Sequence, residues 1–424
     1  MKFAFYTLGC KLNFAESSDI ARRLRERGFL KAAAGEHADV VLLNTCSVTD
    51  IADHKGRQAI HRLKRQYPDA LLVVTGCYAQ LKADEVAAID GVDLVLGASE
   101  KADAAEQIIK KLGGQKLLAN RGGKPAEIYT SDIRKDAAFH PARSFDDRTR
   151  CFLKVQDGCD YFCTYCTIPM ARGISRSATV KDTIEEVRKA IADGAKEIVI
   201  TGVNTGDFGR RNGENLLQLL TAMDAINGQV RYRISSVEPN LLSDDIIDFV
   251  AGSKHFAPHF HIPLQSGSDD VLRIMRRRYT TSLFAQRVDK IRSLMPHAFI
   301  GVDVIVGVRG ETEQHFINSQ QFIESLPVSQ LHVFTYSERA GTAMLDMDGC
   351  IVPHTERKRR SQVLHMISEQ KLKEFYEVNK GRSATVLWEA KRDKGLMAGF
   401  TENYVRVTRA YDKGRVNAFE EIII

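Results

Sequence analysis

No stretch of this chain approaches the apolar length of a membrane span, and no low-complexity tract interrupts its 424 residues. The N-terminus offers no secretory leader either. In "MKFAFYTLGCKLN", Lys2 precedes only a short apolar run before Gly9 and Cys10. We therefore expect a cytoplasmic protein with no membrane partner. An excess of charge of one sign is also lacking: the formal net charge is +6, weak evidence by itself for a polyanionic partner. Basic residues cluster locally at Arg276-Arg277-Arg278, at Arg357-Lys358-Arg359-Arg360 and in "EAKRDKG" (Glu389 to Gly395). Each cluster reads equally well as a solvated face or as a polyanion contact. Cysteine is not scarce. In a reducing compartment eight cysteines point to metal or redox chemistry before disulfides.

The length exceeds one ordinary core, so two or three domains are expected. In the N-terminal part, "KFAFYTLGC", "DVVLLNTC" and "LLVVTGC" are each an apolar run that ends in small or polar residues and a cysteine. Helix-like stretches follow, such as Ala15–Arg27 with Ile20 and Leu24 on one face. A further run, "VDLVLG", carries no cysteine. Buried runs alternating with helices predict a parallel sheet in an α/β domain, which places ligands at strand C-termini. Cys10, Cys46 and Cys77 all fall at such ends, so separate loops can bring them together.

From Gly113 to Arg150 the pattern lapses into a polar, mixed-charge stretch that reads as a linker. Strand-like runs then resume: "CFLKVQ", "EIVITGV", "VRYRISSV", "HFHIPL", "AFIGVDVIVG" and "QLHVFTY", with helices between them, the clearest being Val180–Ala192. Six such units predict a partial, open barrel, since a closed one needs eight. A charged helix over Thr355–Asn379 leads into a tail of short alternating runs, expected as a small β-barrel or sheet. The expected domains are thus 1–120, a linker at 121–145, the barrel at 146–378 and the tail at 379–424.

The chemistry concentrates in "DGCDYFCTYCTIP", where Cys159, Cys163 and Cys166 follow the first barrel strand at C-x3-C-x2-C spacing. Three thiolates can each bind one iron of a cubane cluster and leave the fourth iron open to a small molecule. Zinc is the plainer alternative, but a structural zinc site calls for a fourth Cys or His, and "TIPMARG" supplies neither. Cys151 and Cys350 match no pattern and read as structural. His259 and His261, alternating on "HFHIPL", read as satisfied core or surface histidines.

C-x3-C-x-aromatic-C, with Tyr165 as the aromatic, resembles the signature of the radical S-adenosylmethionine enzymes. "TLGCKLN", "NTCSVTDIADHKGR" and "VVTGCYAQ" resemble the three cysteine motifs of the methylthiotransferase family within it. Similarity continues through "IPMARGISRS", "ITGVNTG", "RISSVEP", "HFHIPLQSGSDDVLRIMRRRYT", "GVDVIVGVRGETEQ" and "YSERAGTAM". "GFTENYVRV" lies in a tail similar to that family's RNA-binding TRAM domain. Two departures stand out: Val308-Arg309 where the family commonly has Phe-Pro, and Ala340 at a usual Pro.

The resemblance implies two 4Fe–4S clusters, one on Cys159, Cys163 and Cys166 and an auxiliary one on Cys10, Cys46 and Cys77. It implies S-adenosylmethionine at the open iron of the first cluster and sulfur at that of the second. Tyr165 would lie against the adenine end of the cofactor and Asn204 near its methionyl part. Glu238 and Gln265 would hold ribose or substrate, and the strand ending at Gly307 would run along adenine. The implied reaction is methylthiolation of carbon 2 of a modified adenosine next to the tRNA anticodon, by a radical. One S-adenosylmethionine methylates sulfur and a second yields the 5′-deoxyadenosyl radical. "TLGCKLN" is similar to the branch acting on N6-threonylcarbamoyladenosine. The isopentenyladenosine branch and the branch modifying a ribosomal-protein aspartate tend toward other forms of this motif. Implied partners are tRNA, gripped by the tail and by Arg276–Arg278, a reductant such as flavodoxin or ferredoxin, and a sulfur donor. A monomer is expected. A reading of another class, an RNA-binding iron–sulfur protein without turnover, predicts no cleavage of S-adenosylmethionine.

Overall fold

The computed structural model describes residues 1–33, 35–113, 126–144 and 149–424, which pack as two compact units. The first comprises Met1–Asp147, Asp157–Asp160 and Cys166–Arg176, and the second Arg148–Gln156, Tyr161–Tyr165 and Ser177–Ile424.

The first unit is built on a parallel sheet. Its strands stand in the order Leu30–Lys31, Lys2–Thr7, Val40–Thr45, Leu71–Gly76, Leu94–Leu96, Glu127–Tyr129. Val40–Thr45 and Leu71–Gly76 are buried at every position because helices cover both faces. One face packs Ile20 and Leu24 of helix Lys11–Glu26 against Val40, Leu42 and Val73. The other packs Ile60 and Leu63 of helix Asp50–Gln66 against Val41, Leu43 and Val74. Thr49 caps the latter helix by accepting from the Ala52 N–H, with Asp50 and Asp53 in its first turn.

Strand Glu127–Tyr129 falls inside the stretch expected as linker, of which 121–125 and 145 lie outside the described residues. It is an edge strand, largely exposed, so no apolar run marks it. Helix Lys11–Glu26 likewise starts a turn earlier than periodicity suggests, with Cys10 at its N-cap.

The second unit holds six parallel barrel strands. Glu197–Thr201 lies between Arg150–Lys154 and Arg231–Ile234, and Phe299–Val306 lies between His259–Gln265 and Gln330–Thr335. Isolated bridges from Tyr232 to Phe256 and from Ser236 to His261 join the two sets. Side chains alternate across the sheet with period two. Phe260, Ile262, Leu264, Ile300, Val302 and Val304 share a core with Phe284, Val288 and Ile291 of helix Thr281–Leu294. His261, Gly301, Asp303 and Ile305 therefore belong to the opposite, concave face. Helix Val180–Ala192 has the bounds expected, started by Thr179, whose hydroxyl accepts from the Asp182 N–H. The long helix runs His354–Asn379.

The tail is a four-stranded antiparallel sheet of Ser383–Asp393, Leu396–Phe400, Arg406–Ala410 and Phe419–Ile423. It docks on the barrel through a buried triad. Glu197 accepts from Arg231 Nε at 2.6 Å and from Arg233 Nε at 2.9 Å. Arg231 then donates to the carbonyls of Thr385 (2.8 Å) and Phe400 (3.0 Å), and Arg233 to that of Glu402 (3.0 Å). Burial alone would raise the Glu197 pKa, but the two guanidiniums overrule it and hold the carboxyl well below the usual range. A depressed carboxylate stabilises the fold above its unfolded pKa, and that stability is lost as pH falls. Thermal stability is thus expected to drop as the pH is taken below about 4. Glu197→Gln should cost ~3 kcal/mol by leaving two guanidiniums incompletely paired, and should flatten that acid limb. Thermal unfolding of both proteins between neutral and acid pH checks this, and an unchanged acid limb in the variant would contradict it.

Candidate active site

In the first unit the sheet delivers three thiols at the ends of adjacent strands. Cys10 caps helix Lys11–Glu26, Cys46 follows Val40–Thr45, and Cys77 opens the short helix Cys77–Leu81. Gly76, just before Cys77, has φ +102°, and a Cβ there would lie 2.2 Å from the Thr45 carbonyl oxygen. Only glycine permits that approach of the two strand ends. Asn13 ties the neighbouring loops together, its Nδ2 donating to the carbonyls of Leu8 (2.8 Å) and Thr45 (2.9 Å).

Burial pushes the Cys46 thiol up to about 12, and the Cys77 and Cys10 thiols add to the rise. Burial also raises Cys77, which Arg172 and Lys101 oppose. Three clustered thiols whose thiolate forms repel one another fit a metal cluster, whose positive charge would offset both burial and repulsion. All eight cysteines are free.

Beneath this triad sits a guanidinium that motif reading passed over. Arg172 is buried, and its Nη1 lies 3.0 Å from Glu16 Oε1 and 3.0 Å from Asp157 Oδ1. Its Nη2 donates to Asn13 Oδ1 at 2.6 Å, and Glu16 is held from its other side by Lys101. The available signal was a lone Arg in the otherwise apolar turn "IPMAR".

Cys159, Cys163 and Cys166 share the loop between strand Arg150–Lys154 and helix Ile168–Arg172. The Cys159 N–H donates to the Gly173 carbonyl at 3.1 Å, and Cys166 Sγ accepts from the Ile168 N–H at 3.4 Å. Cys163 is buried, which raises its thiol pKa, while Arg277 Nη1 at 3.1 Å from Sγ favours the thiolate. Arg277 also pairs with Glu238 and donates to the Tyr279 hydroxyl at 3.1 Å.

One expectation changes here. The Arg277 side chain is 3% exposed, so it serves the site from inside and cannot grip phosphates. Glu238, expected to hold ribose or substrate, pairs with that guanidinium. Burial raises its pKa, against the pull of Arg277.

The remaining expected residues stand on the barrel's C-terminal rim. Asn204 is 3% exposed, and neither its Nδ2 nor its Oδ1 has a partner, while its N–H donates to Gln156 Oε1 at 2.8 Å. Gln265 ends its strand at φ +64°, with Oε1 buried and unpartnered. Buried amides left without partners are costly, and a polar cofactor seated at the rim would satisfy them. Tyr165 packs with Val271, Met275, Tyr336 and the fully buried Val308, so the unusual valine completes this small core. Gly307 has a plainer reason than a cofactor: at φ +80°, a Cβ would lie 2.3 Å from Arg357 Cγ. Cys151 is core, as expected, but Cys350 is exposed and contributes only its carbonyl, to the Gly310 N–H at 2.9 Å. His259 is buried and stacks on Phe299 at 5.3 Å. His261 lies on the concave face.

Comparison with known proteins agrees with this arrangement. Residues 2–97 match the uncharacterized protein family UPF0004, and residues 153–323 match the radical SAM superfamily. The threonylcarbamoyladenosine tRNA methylthiotransferase MtaB of Bacillus subtilis (strain 168) is 36% identical, over 95% of this chain and 89% of its own. The corresponding enzyme of Aquifex aeolicus (strain VF5) is 35% identical, over 96% of this chain and 97% of its own. Among solved structures, the radical S-adenosylmethionine methyltransferase TsrM from Kitasatospora setae superposes with a TM-score of 0.58 at 14% identity. That match covers 81% of this chain and 74% of TsrM, and speaks to the fold alone.

Proposed function

This chain belongs to the radical S-adenosylmethionine methylthiotransferase family, and from that premise we propose that it methylthiolates carbon 2 of N6-threonylcarbamoyladenosine at position 37 of tRNA. The observation that carries the reading is the pairing of two cysteine triads, each one thiol short of a cubane's four ligands, with similarity over nearly the whole chain to enzymes of that name. An unactivated aromatic C–H bond has no acidic proton for a general base, so radical chemistry is needed.

Cys159, Cys163 and Cys166 would hold one 4Fe–4S cluster, and Cys10, Cys46 and Cys77 the second. When bound, these groups supply one-electron reduction of the S-adenosylmethionine sulfonium and a store of sulfur. The chain does the rest. Arg277 favours the ligating thiolate of Cys163, and Arg172 does the same beneath the N-terminal triad. Asn204, with both amide atoms unpaired, and Gln265 through its unpaired Oε1 would hold the polar parts of S-adenosylmethionine, and Tyr165 would contact its adenine.

We assign 1–120 to the sulfur domain, 146–378 to the barrel and 379–424 to RNA binding. In the tail, Arg409 and Arg415 are turned onto Glu420, at 2.9 Å and 2.5 Å. Phosphate contact then falls to the exposed Lys391, Arg392 and Lys394 at the hairpin tip, and should weaken steeply with salt. A flavodoxin- or ferredoxin-type reductant and a sulfur donor complete the reaction.

Anaerobic turnover of the reconstituted protein with threonylcarbamoylated tRNA, followed by nucleoside mass analysis, tests the proposal. The expected product is heavier by one sulfur and one CH2. Mass gain on isopentenyladenosine alone, or on no nucleoside, would reject the assignment.

A further inference from the structure

The concave face of the barrel carries a polar cluster that neither cysteine triad uses. His261 Nε2 lies 2.7 Å from Asp303 Oδ1, and the His261 and His332 rings stand edge to face at 5.3 Å. Register explains the meeting. Asp303 lies opposite both Pro263 and His332 on its flanking strands, while Gly301 lies opposite His261. A Cβ on Gly301 would be 3.0 Å from Phe299 Cε1, 3.6 Å from His332 Nε2 and 3.9 Å from His261 Cδ2, so the glycine lets these three rings draw together over the strand. Two residues beyond His332, toward the rim that bears Gln265, Phe334 is 46% exposed. A bare aromatic ring and three polar groups thus line one column of an open inner surface.

We propose that this column reads the target nucleoside: Phe334 stacks the purine, and His261, Asp303 and His332 bind its N6 substituent. The inference rests on the function proposed above and deepens it. A threonylcarbamoyl arm carries a carboxylate, a hydroxyl and urea N–H groups. Imidazole N–H groups donate to the carboxylate and hydroxyl, and Asp303 accepts from N–H or O–H. The step from Phe334 to His332 is ~6.6 Å along the strand, within reach of an arm of that length. A purely apolar isopentenyl arm would take these polar groups out of water with no new hydrogen bond in return, and a site built for polar partners disfavours such a ligand. Aromatic stacking of a splayed base is the usual way single-stranded RNA is held.

The test is binding of the anaerobic, cluster-loaded protein to an anticodon stem-loop carrying threonylcarbamoyladenosine, and to the same stem-loop with plain adenosine. The wild type is expected to prefer the modified RNA by about tenfold, the scale of a hydrogen bond to a charged group. His332→Ala and Asp303→Ala should each shrink that preference to about twofold or less, while His332→Gln, which keeps a donor, should recover part of it. A structural role would weaken both RNAs alike, and that result would overturn the inference, as would an undiminished preference. A stoichiometric divalent metal beyond cluster iron, lost in His332→Ala, would overturn it too, by making the cluster a metal site. Turnover separates the two levels. Selective binding without a methylthio product would sink the function and leave the recognition site standing.

Discussion

Cys163→Ala protein, reconstituted anaerobically and supplied with a strong reductant, is expected to release 5′-deoxyadenosine from S-adenosylmethionine at least about a thousandfold more slowly than the wild type, or ~4 kcal/mol of lost catalysis. Cys46→Ala should behave differently. It is expected to keep release of 5′-deoxyadenosine but form no methylthio nucleoside. The contrast follows from where the two thiols stand. Cys163 lies in the loop after the first barrel strand, against Arg277, and Cys46 at a strand end of the N-terminal sheet. Iron per chain should fall in each variant without reaching zero, since the other triad is intact. If Cys46→Ala abolished release of 5′-deoxyadenosine as fully as Cys163→Ala, the division of labour between the triads would be wrong.

Arg172→Ala should be the most damaging change outside the cysteines. It leaves Glu16 and Asp157 buried beside Asn13 without the guanidinium that joined them, Lys101 still pairing with Glu16 and Arg176 lying 3.8 Å from Asp157. Removing one partner of a buried charge network typically costs ~3–5 kcal/mol, because the remaining charges stay desolvated. The loss should appear as faster amide exchange in the sheet strands of the first unit, and as lower occupancy of the N-terminal triad. Triple replacement by Arg172→Ala, Glu16→Gln and Asp157→Asn should recover much of the exchange protection. Cluster occupancy should recover less, since the thiolates would still lack their cation. Equal recovery of both would mean that Arg172 acts only as a strut.

The architecture was legible in the sequence wherever burial on both faces writes a continuous apolar run, as at Val40–Thr45 and Leu71–Gly76. Helical periodicity did the same for Val180–Ala192, whose Val187 is buried on one face, and Thr179 caps it. Strand Glu127–Tyr129 was not legible, because an exposed edge needs no apolar residues. Cys159, Cys163 and Cys166 stood out by spacing and Cys10, Cys46 and Cys77 by their places at strand ends, but the charged groups around them did not. Arg172 meets Glu16 across 156 positions, and Arg277 sits in a run of three arginines whose neighbours Arg276 and Arg278 are exposed. Pairing that distant leaves no local trace. His261 looked like ordinary alternation with His259, and His332 drew no notice, because only strand register places both beside Asp303.

The dock between tail and barrel has two parts: main-chain carbonyls of Thr385, Phe400 and Glu402 received by Arg231 and Arg233, and side chains such as Tyr404, packed on His259 and Phe299, and Glu389, paired with Arg150. The carbonyl half of that socket is indifferent to side chains, while the aromatic half fixes a few inward-facing residues such as Tyr404. The tail's outward residues are therefore free to drift, or to be swapped by an engineer, without renegotiating how the module is attached. On the function proposed above, RNA preference becomes a property that evolution can tune on the tail's outward face, while the radical chemistry behind it stays as it is.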